Sequence, residues 1–126
     1  MHYLDTSAIA KLAAAEPESD ALASTLAHAR SRVTSRVGLV EFRRLAYRSG
    51  VARDRTSAVV AALVTVELDE RIERLAASVD VGLRTLDAIH LASALSLGDE
   101  LHAFVCYDTR LSDAARAAGL PAIEPA

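Results

Sequence analysis

Four carboxylates stand in contexts that set them apart from ordinary surface acids. Asp5 ends the opening run Met-His-Tyr-Leu-Asp-Thr-Ser, and Glu41 lies between Val40 and Phe42. Asp87 falls in Thr-Leu-Asp-Ala-Ile-His-Leu-Ala-Ser-Ala-Leu, and Asp108 closes Ala-Phe-Val-Cys-Tyr-Asp. Asp5 and Asp108 each follow an apolar run of strand character, and in an open α/β sheet the functional crevice lies outside the carboxyl ends of the strands. If the four converge, their mutual repulsion demands a counter-charge. A hard divalent cation with oxygen ligands, Mg²⁺ or Mn²⁺, answers that demand. Such an ion lowers the pKa of water and offsets charge on phosphoryl oxygens, so the chemistry indicated is metal-assisted phosphodiester hydrolysis.

Each acid also has an ordinary explanation. Asp5, Asp87 and Asp108 stand at predicted helix starts, where aspartate is a favoured N-cap. Glu41 is mid-helix, where glutamate usually faces solvent, although Val37, Val40 and Leu45 bring apolar positions close to it. The case for a site therefore rests on the four together. The histidines at 2, 28, 90 and 102 do not form zinc spacing. His90 lies one turn after Asp87 and reads as a packed or hydrogen-bonded helix residue. Cys106 sits in a predicted buried strand and reads as a small core residue. Asp113 reads as an exposed helix acid.

The elements that must position these residues alternate. Strands are expected at 2–5, 32–35, 65–68, 102–107 and 121–123. Helices are expected from Thr6 to about Ala15, from a first turn containing Pro17 to about Arg30, and from Arg36 to Ser49 with Gly50 as its cap. Further helices are expected over 53–64, 69–79, 86–97 and 109–118, the last two stopped by Gly98 and Gly119. Strands separated by helices predict a parallel sheet of about four to five short strands with helices on both faces, as one domain over 1–126.

At 126 residues the chain has room for one core, able to bury roughly two-thirds of its unfolded surface. Its 52% hydrophobic and 25% charged content reads as globular. No run approaches the roughly 20 apolar residues of a membrane span, and the opening lacks a signal-peptide layout. A single cysteine excludes an intrachain disulfide, which makes a reducing cytoplasm the expected compartment. The net charge of −3 hides an asymmetry: residues 30–55 hold eight arginines against Glu41 and Asp54, a net +6, leaving −9 elsewhere. That sector suits a nucleic-acid backbone or an acidic peptide; equally, it suits an arginine-rich surface of a chain with one lysine.

Taken together, Tyr-Leu-Asp-Thr-Ser-Ala, Glu41, the Asp87 segment and Cys-Tyr-Asp-Thr-Arg-Leu-Ser-Asp-Ala-Ala resemble the PIN domain. Within it the chain resembles VapC-type ribonuclease toxins of bacterial toxin–antitoxin pairs, from Met1 to Gly-Leu-Pro-Ala-Ile. The resemblance implies a PIN-like three-layer sandwich and a metal-dependent endoribonuclease acting on structured RNA. It implies an acidic site of Asp5, Glu41, Asp87 and Asp108, with Asp5 and Asp87 as the firmest ligands of Mg²⁺ or Mn²⁺, Asp108 bound to it directly or through water, and Glu41 binding through water or helping to orient the ion. Thr6 or Ser7 would hydrogen-bond a carboxylate or the scissile phosphate; Arg43, Thr109 and Arg110 are further candidates for substrate or supporting contacts. It also implies a homodimer, and inhibition by a VapB-type antitoxin whose tail fills the groove.

Other classes meet the residues less well. A phosphate-accepting receiver domain needs a late lysine, and Lys11 is the only one. A haloacid-dehalogenase-type phosphatase needs a second aspartate at position 7, which is Ser7. A non-enzymatic protein-binding module, with the acids as caps, and a PIN nuclease of RNA maturation remain the alternatives.

Overall fold

A computed structural model describes residues 1–126. Five strands form one sheet: β1 (His2–Leu4), β2 (Arg32–Ser35), β3 (Leu63–Val66), β4 (Ala103–Val105) and β5 (Ala122–Ile123). Every pairing is parallel, and the order is β3-β2-β1-β4-β5. From central β1 the chain steps outward through β2 and β3, then returns to place β4 and β5 on the other side. Strand order therefore reverses between β1 and β4. Outside the carboxyl ends of such a pair the flanking connections diverge and leave a crevice.

The register alternates side chains between two cores. Tyr3 pairs with Phe104 and Leu4 with Val105. Tyr3 and Phe104 stack face to face, their centroids 5.5 Å apart, under Leu91 and Ala94 of α6 (Thr85–Leu95) and Leu111 and Ala115 of α7 (Thr109–Ala117). Leu4 and Val105 point the opposite way, against Ile9 of α1 (Thr6–Ala13), Leu22 and Leu26 of α2 (Ser19–Ala27), and Phe42 and Ala46 of α3 (Arg36–Arg48). The period of two along each strand thus creates the three layers. Two more helices, α4 (Arg53–Ala61) and α5 (Glu70–Ser78), pack on α1 and α6 respectively.

Helix ends follow local chemistry. Ser35 caps α3 by accepting from Val37 N at 3.1 Å, and Asp69 caps α5 by accepting from Ile72 N at 2.9 Å. Gly50, at φ +74°, closes α3: its N–H reaches the Tyr47 carbonyl, and that of Val51 reaches Ala46. That pair of bonds requires the left-handed conformation glycine adopts without penalty. No helix is long and apolar enough to cross a membrane.

The expected elements are present, with shifts that have physical causes. Pro17 lies outside α2, whose cap is Glu18, rather than in its first turn. Strand β3 begins at Leu63, two residues earlier than expected, because Arg32 to Ser35 pair with Leu63 to Val66. Helix α6 ends at Leu95, and Gly98–Glu100 add a 3₁₀ turn. Strand β4 covers only Ala103–Val105 of the expected 102–107.

One glycine is required by a side chain. A Cβ on Gly38 would stand 2.6 Å from His90 Cε1 and 3.4 Å from Thr34 Oγ1. Gly38→Ala is expected to destabilise the fold by about 1–3 kcal/mol through overpacking, despite alanine's better helix propensity. Urea unfolding checks this; a variant as stable as the parent would show that the His90 ring moves aside freely.

Candidate functional site

The four acids reach one cleft from four elements. Asp5 follows β1, Glu41 is on α3, Asp87 is the third residue of α6, and Asp108 precedes α7. All four line a cleft of about 430 Å³ with Thr6, Ser7, Leu45, Arg48, Arg84, Thr85 and Leu86. The cleft opens outside the carboxyl ends of β1 and β4, at the reversal of strand order.

Asp5 is 3% exposed and fully engaged. Its Oδ1 accepts from Ser7 Oγ at 2.6 Å and from Ala8 N at 3.0 Å, which caps α1. Its Oδ2 accepts from Cys106 Sγ at 3.1 Å. Ser7 Oγ in turn accepts from Tyr107 N at 2.9 Å, so the carboxylate is clamped to both sides of the β1–β4 pair. Asp108 also caps its helix, accepting from Leu111 N at 3.0 Å through Oδ1, with Oδ2 unspent. The cap reading of these two aspartates is therefore correct, and it coexists with their place in the cleft.

Asp87 differs. The cap position of α6 belongs to Arg84, so Asp87 has no capping role. No hydrogen bond reaches its carboxylate. Partial burial raises its pKa above the usual value, and the charges of Asp108 and Asp5 push the same way, while His90 and Arg84 oppose. Glu41 moves in the other direction. The His90 ring, its Nε2 3.9 Å from Oε1, lowers its pKa most; partial burial opposes this, and the Thr6 hydroxyl and the Arg84 charge lower it further. Thr6 Oγ1 donates to Glu41 Oε1.

The remaining candidates separate. Thr6 and Ser7 line the cleft, but Arg43, Thr109 and Arg110 do not. Thr109 and Arg110 are exposed at the start of α7. Asp113 is exposed and pairs with Arg116 at 3.4 Å. His90 is the packed, hydrogen-bonded residue expected, at 2% exposure. Sequence reasoning missed Arg84 as a lining residue, and it singled out Arg48 only together with Arg43 and Arg44 in the basic sector. Arg84 sits in the connector before α6, where only its adjacency to Thr-Leu-Asp could have marked it. It also missed Cys106 as a donor to Asp5, because residues 101 apart give no local signal.

The basic sector proves divided. Arg36 pairs with Glu67 at 2.8 Å, and Arg55 donates to the final carbonyls of α1 at Ala13 and Leu12. Arg53 lies 5.5 Å from the centroid of the Tyr47 ring. Arg48 alone of the eight reaches the acidic cleft, and Arg44 joins it along an adjoining groove.

The donor set suits a hard cation. All four groups are carboxylates, both Asp87 oxygens and Asp108 Oδ2 are unspent, and no Cys or His lines the cleft. No three His, Cys, Asp or Glu side chains already converge at ligating distance, so the fit lies in donor chemistry rather than in a finished cage.

These environments predict opposite stability effects. Asp5→Ala removes a cap and orphans the Ser7 and Cys106 donors, and is expected to cost about 1–2 kcal/mol or more. Asp87→Asn relieves repulsion without loss of a bond and is expected to raise the melting temperature in EDTA. Paired thermal melts check both; a lower melting temperature for Asp87→Asn would mean that its carboxylate holds the fold.

Comparison with known proteins agrees with the geometry. The family model described as PIN domain matches residues 2–117. Ribonuclease VapC46 of Mycobacterium tuberculosis is 43% identical over 125 residues, covering 98% of this chain and 96% of the relative. Ribonuclease VapC47 of the same species is 37% identical over 132 residues, covering 99% and 97%. Among solved structures, Mycobacterium tuberculosis VapC20, a toxin described as cleaving the Sarcin-Ricin loop, superposes with a TM-score of 0.76 at 20% identity, over 99% of this chain and 100% of that one. A chain of VapBC2 from Rickettsia felis, bound to a DNA fragment from their promoter, superposes at 0.69 with 13% identity, each chain being fully covered. With a parallel five-stranded sheet, an acidic cleft at its reversal and full-length relatives, this chain belongs to the PIN domain family and is of the VapC type.

Proposed function

We propose that this chain is the toxin of a type II toxin–antitoxin pair, a metal-dependent endoribonuclease that hydrolyses phosphodiester bonds of structured RNA in the cytoplasm. The observation that carries this is the convergence of Asp5, Glu41, Asp87 and Asp108 on one cleft at the sheet's reversal. The full-length VapC relatives support the reaction class.

Asp5, Asp87 and Asp108 would hold Mg²⁺ or Mn²⁺, with Glu41 beside them. When bound, the ion supplies water of lowered pKa and charge stabilisation at phosphorus. The chain's own residues do the rest. Asp5 is immobilised by three donors, and its orientation is fixed before any ligand arrives. Glu41, kept ionised, lines the cleft, and with Oε1 tied to Thr6 its Oε2 is left to accept a water proton. Arg48, from α3, and Arg84, from the connector before α6, line the same cleft and would meet phosphates flanking the scissile one. The absence of tryptophan and the scarcity of Tyr and Phe argue against an aromatic stacking platform, so shape and backbone charge carry recognition.

A VapB-type antitoxin fits the adjoining groove. Val37, Val40 and Arg44 line it, it shares Glu41, Arg48 and Leu86 with the cleft, and Val40 is 58% exposed. A peptide with an apolar anchor beside an acidic residue suits that wall, and an arginine extended from it would offset the carboxylates. A homodimer belongs to the same reading.

The test is incubation of the purified chain with total cellular RNA and Mn²⁺ or Mg²⁺, beside EDTA. Discrete fragments are expected, lost with EDTA and reduced by at least about 10²-fold in Asp87→Ala. A folded, antitoxin-free chain that leaves RNA intact would overturn the reading in favour of a protein-binding module. Charge neutralisation supplies a second check. Arg48→Gln with Arg84→Gln is expected to flatten the salt dependence of RNA binding by about 0.7 in log–log slope per lost phosphate contact, whereas Arg43→Gln leaves it unchanged. Equal slopes throughout would remove the two arginines from the RNA path.

A further inference from the structure

Behind Glu41 a chain of hydrogen bonds, partly buried at Thr6 and fully buried beyond it, leads to the central strand. Tyr3 Oη is 2.7 Å from His90 Nδ1, and His90 Nε2 is 3.1 Å from Thr6 Oγ1. Thr6 Oγ1 reaches Glu41 Oε1. Tyr3 is fully buried and His90 nearly so. Their rings meet edge-on, at 80°, with centroids 5.8 Å apart.

For a neutral imidazole, donor inventory fixes the direction of this chain. A carboxylate can only accept, so the single Thr6 hydroxyl proton goes to Glu41. Thr6 Oγ1 must then accept from His90, which requires a proton on Nε2. In a neutral ring Nδ1 is left as an acceptor, and the Tyr3 hydroxyl fills it. A phenol titrates ordinarily at about 10, so at neutral pH Tyr3 keeps the proton that it donates. We propose that His90, with Tyr3 behind it, is a positioning residue for Glu41: the one-way chain Tyr3→His90→Thr6→Glu41 locks His90 as its Nε2–H tautomer and turns the Thr6 hydroxyl onto the carboxylate.

The fold is shaped around this chain. Gly38 stands three residues before Glu41 on α3, on the same face, and lacks the Cβ that would strike His90 Cε1 at 2.6 Å. The helix that carries Glu41 thus leaves room for the ring that positions it. His90 itself stands one turn after Asp87 on α6, so the same helix delivers an acid to the cleft and a donor to its neighbour. Tyr3 is two residues before Asp5 on β1, behind the clamped carboxylate. Both ends of the chain are anchored on elements that carry the site.

The tautomer can be read without any assay of activity. On ¹⁵N-labelled protein near neutral pH, long-range ¹H–¹⁵N correlation reports each ring nitrogen of His90. A protonated Nε2 with a bare Nδ1 is expected. The Nδ1–H tautomer, or a ring protonated at both nitrogens, would overturn the proposal. Tyr3→Phe keeps the core volume and removes only the donor to Nδ1; it is expected to release the tautomer into a mixture.

The consequence for turnover rests on the ribonuclease reading. Tyr3→Phe is expected to lower kcat about tenfold with KM unchanged, since misplacement of a catalytic group by a fraction of an ångström acts on the chemical step. His90→Gln, whose amide offers one acceptor and one donor, is expected to retain more kcat than His90→Leu, with melting temperatures confirming that both fold. Full kcat in Tyr3→Phe, or equal loss in the two His90 variants, would overturn the positioning role. A parent chain that cleaves no RNA would overturn the function instead, and the tautomer would still decide the geometry.

Discussion

A carboxylate removed from water costs several kcal/mol unless donors replace its hydration. Asp5 lies under that constraint, and much of the surrounding structure answers it. The backbone of Ala8 must begin a helix at once, because its N–H is one of the replacements. Ser7 must turn its hydroxyl back onto Asp5 while accepting from Tyr107 across the β1–β4 pair. Cys106, a residue that reads as inert core, supplies the third donor. The start of α1, the pairing of the two middle strands and the exit of β4 are thereby tied to one side chain. Asp5 is held as a structural element is held, and as a preorganised ligand should be.

The other acids show a gradient of commitment. Asp108 spends one oxygen on its helix and keeps the other. Glu41 spends one on Thr6. Asp87 spends none, and its burial beside Asp108 and Asp5 raises its pKa. Stability and function pull apart most at Asp87: nothing in the fold is gained from its charge, while a cation in the cleft would gain a ligand. Carboxylates arranged in this way repel one another, and positive charge in the cleft would relieve that repulsion.

Arginine content alone misleads about where such charge is met. Of eight arginines between residues 30 and 55, those at 36, 53 and 55 are occupied by Glu67, the Tyr47 ring and the end of α1. Arg48 reaches the acids because it lies seven residues after Glu41 on α3, two turns along the same face. Arg84 reaches them from outside the sector, through the connector that leads into α6. The positive charge that lines the cleft thus comes from two side chains and not from the total of +6.

Periodicity, glycines and caps in the sequence determined most of the architecture. Ser35, Gly50 and Gly119 mark helix boundaries through bonds that involve only near neighbours, and apolar strands between helices require a parallel sheet. The motifs around Asp5, Asp87 and Asp108 marked the family and three of the four cleft acids, since each lies in a segment whose local pattern is unusual. Tertiary structure alone decided the rest. Strand order places β4 beside β1, and only then do Asp5 and Cys106, or Ser7 and Tyr107, come within hydrogen-bond reach across about a hundred residues. The same holds for Gly38, whose reason is a ring on another helix, and for His90, whose proton is assigned by partners on β1 and α1. Local patterns encode caps and faces because the groups that satisfy them are covalently near; partners brought together by chain crossover leave no trace in spacing.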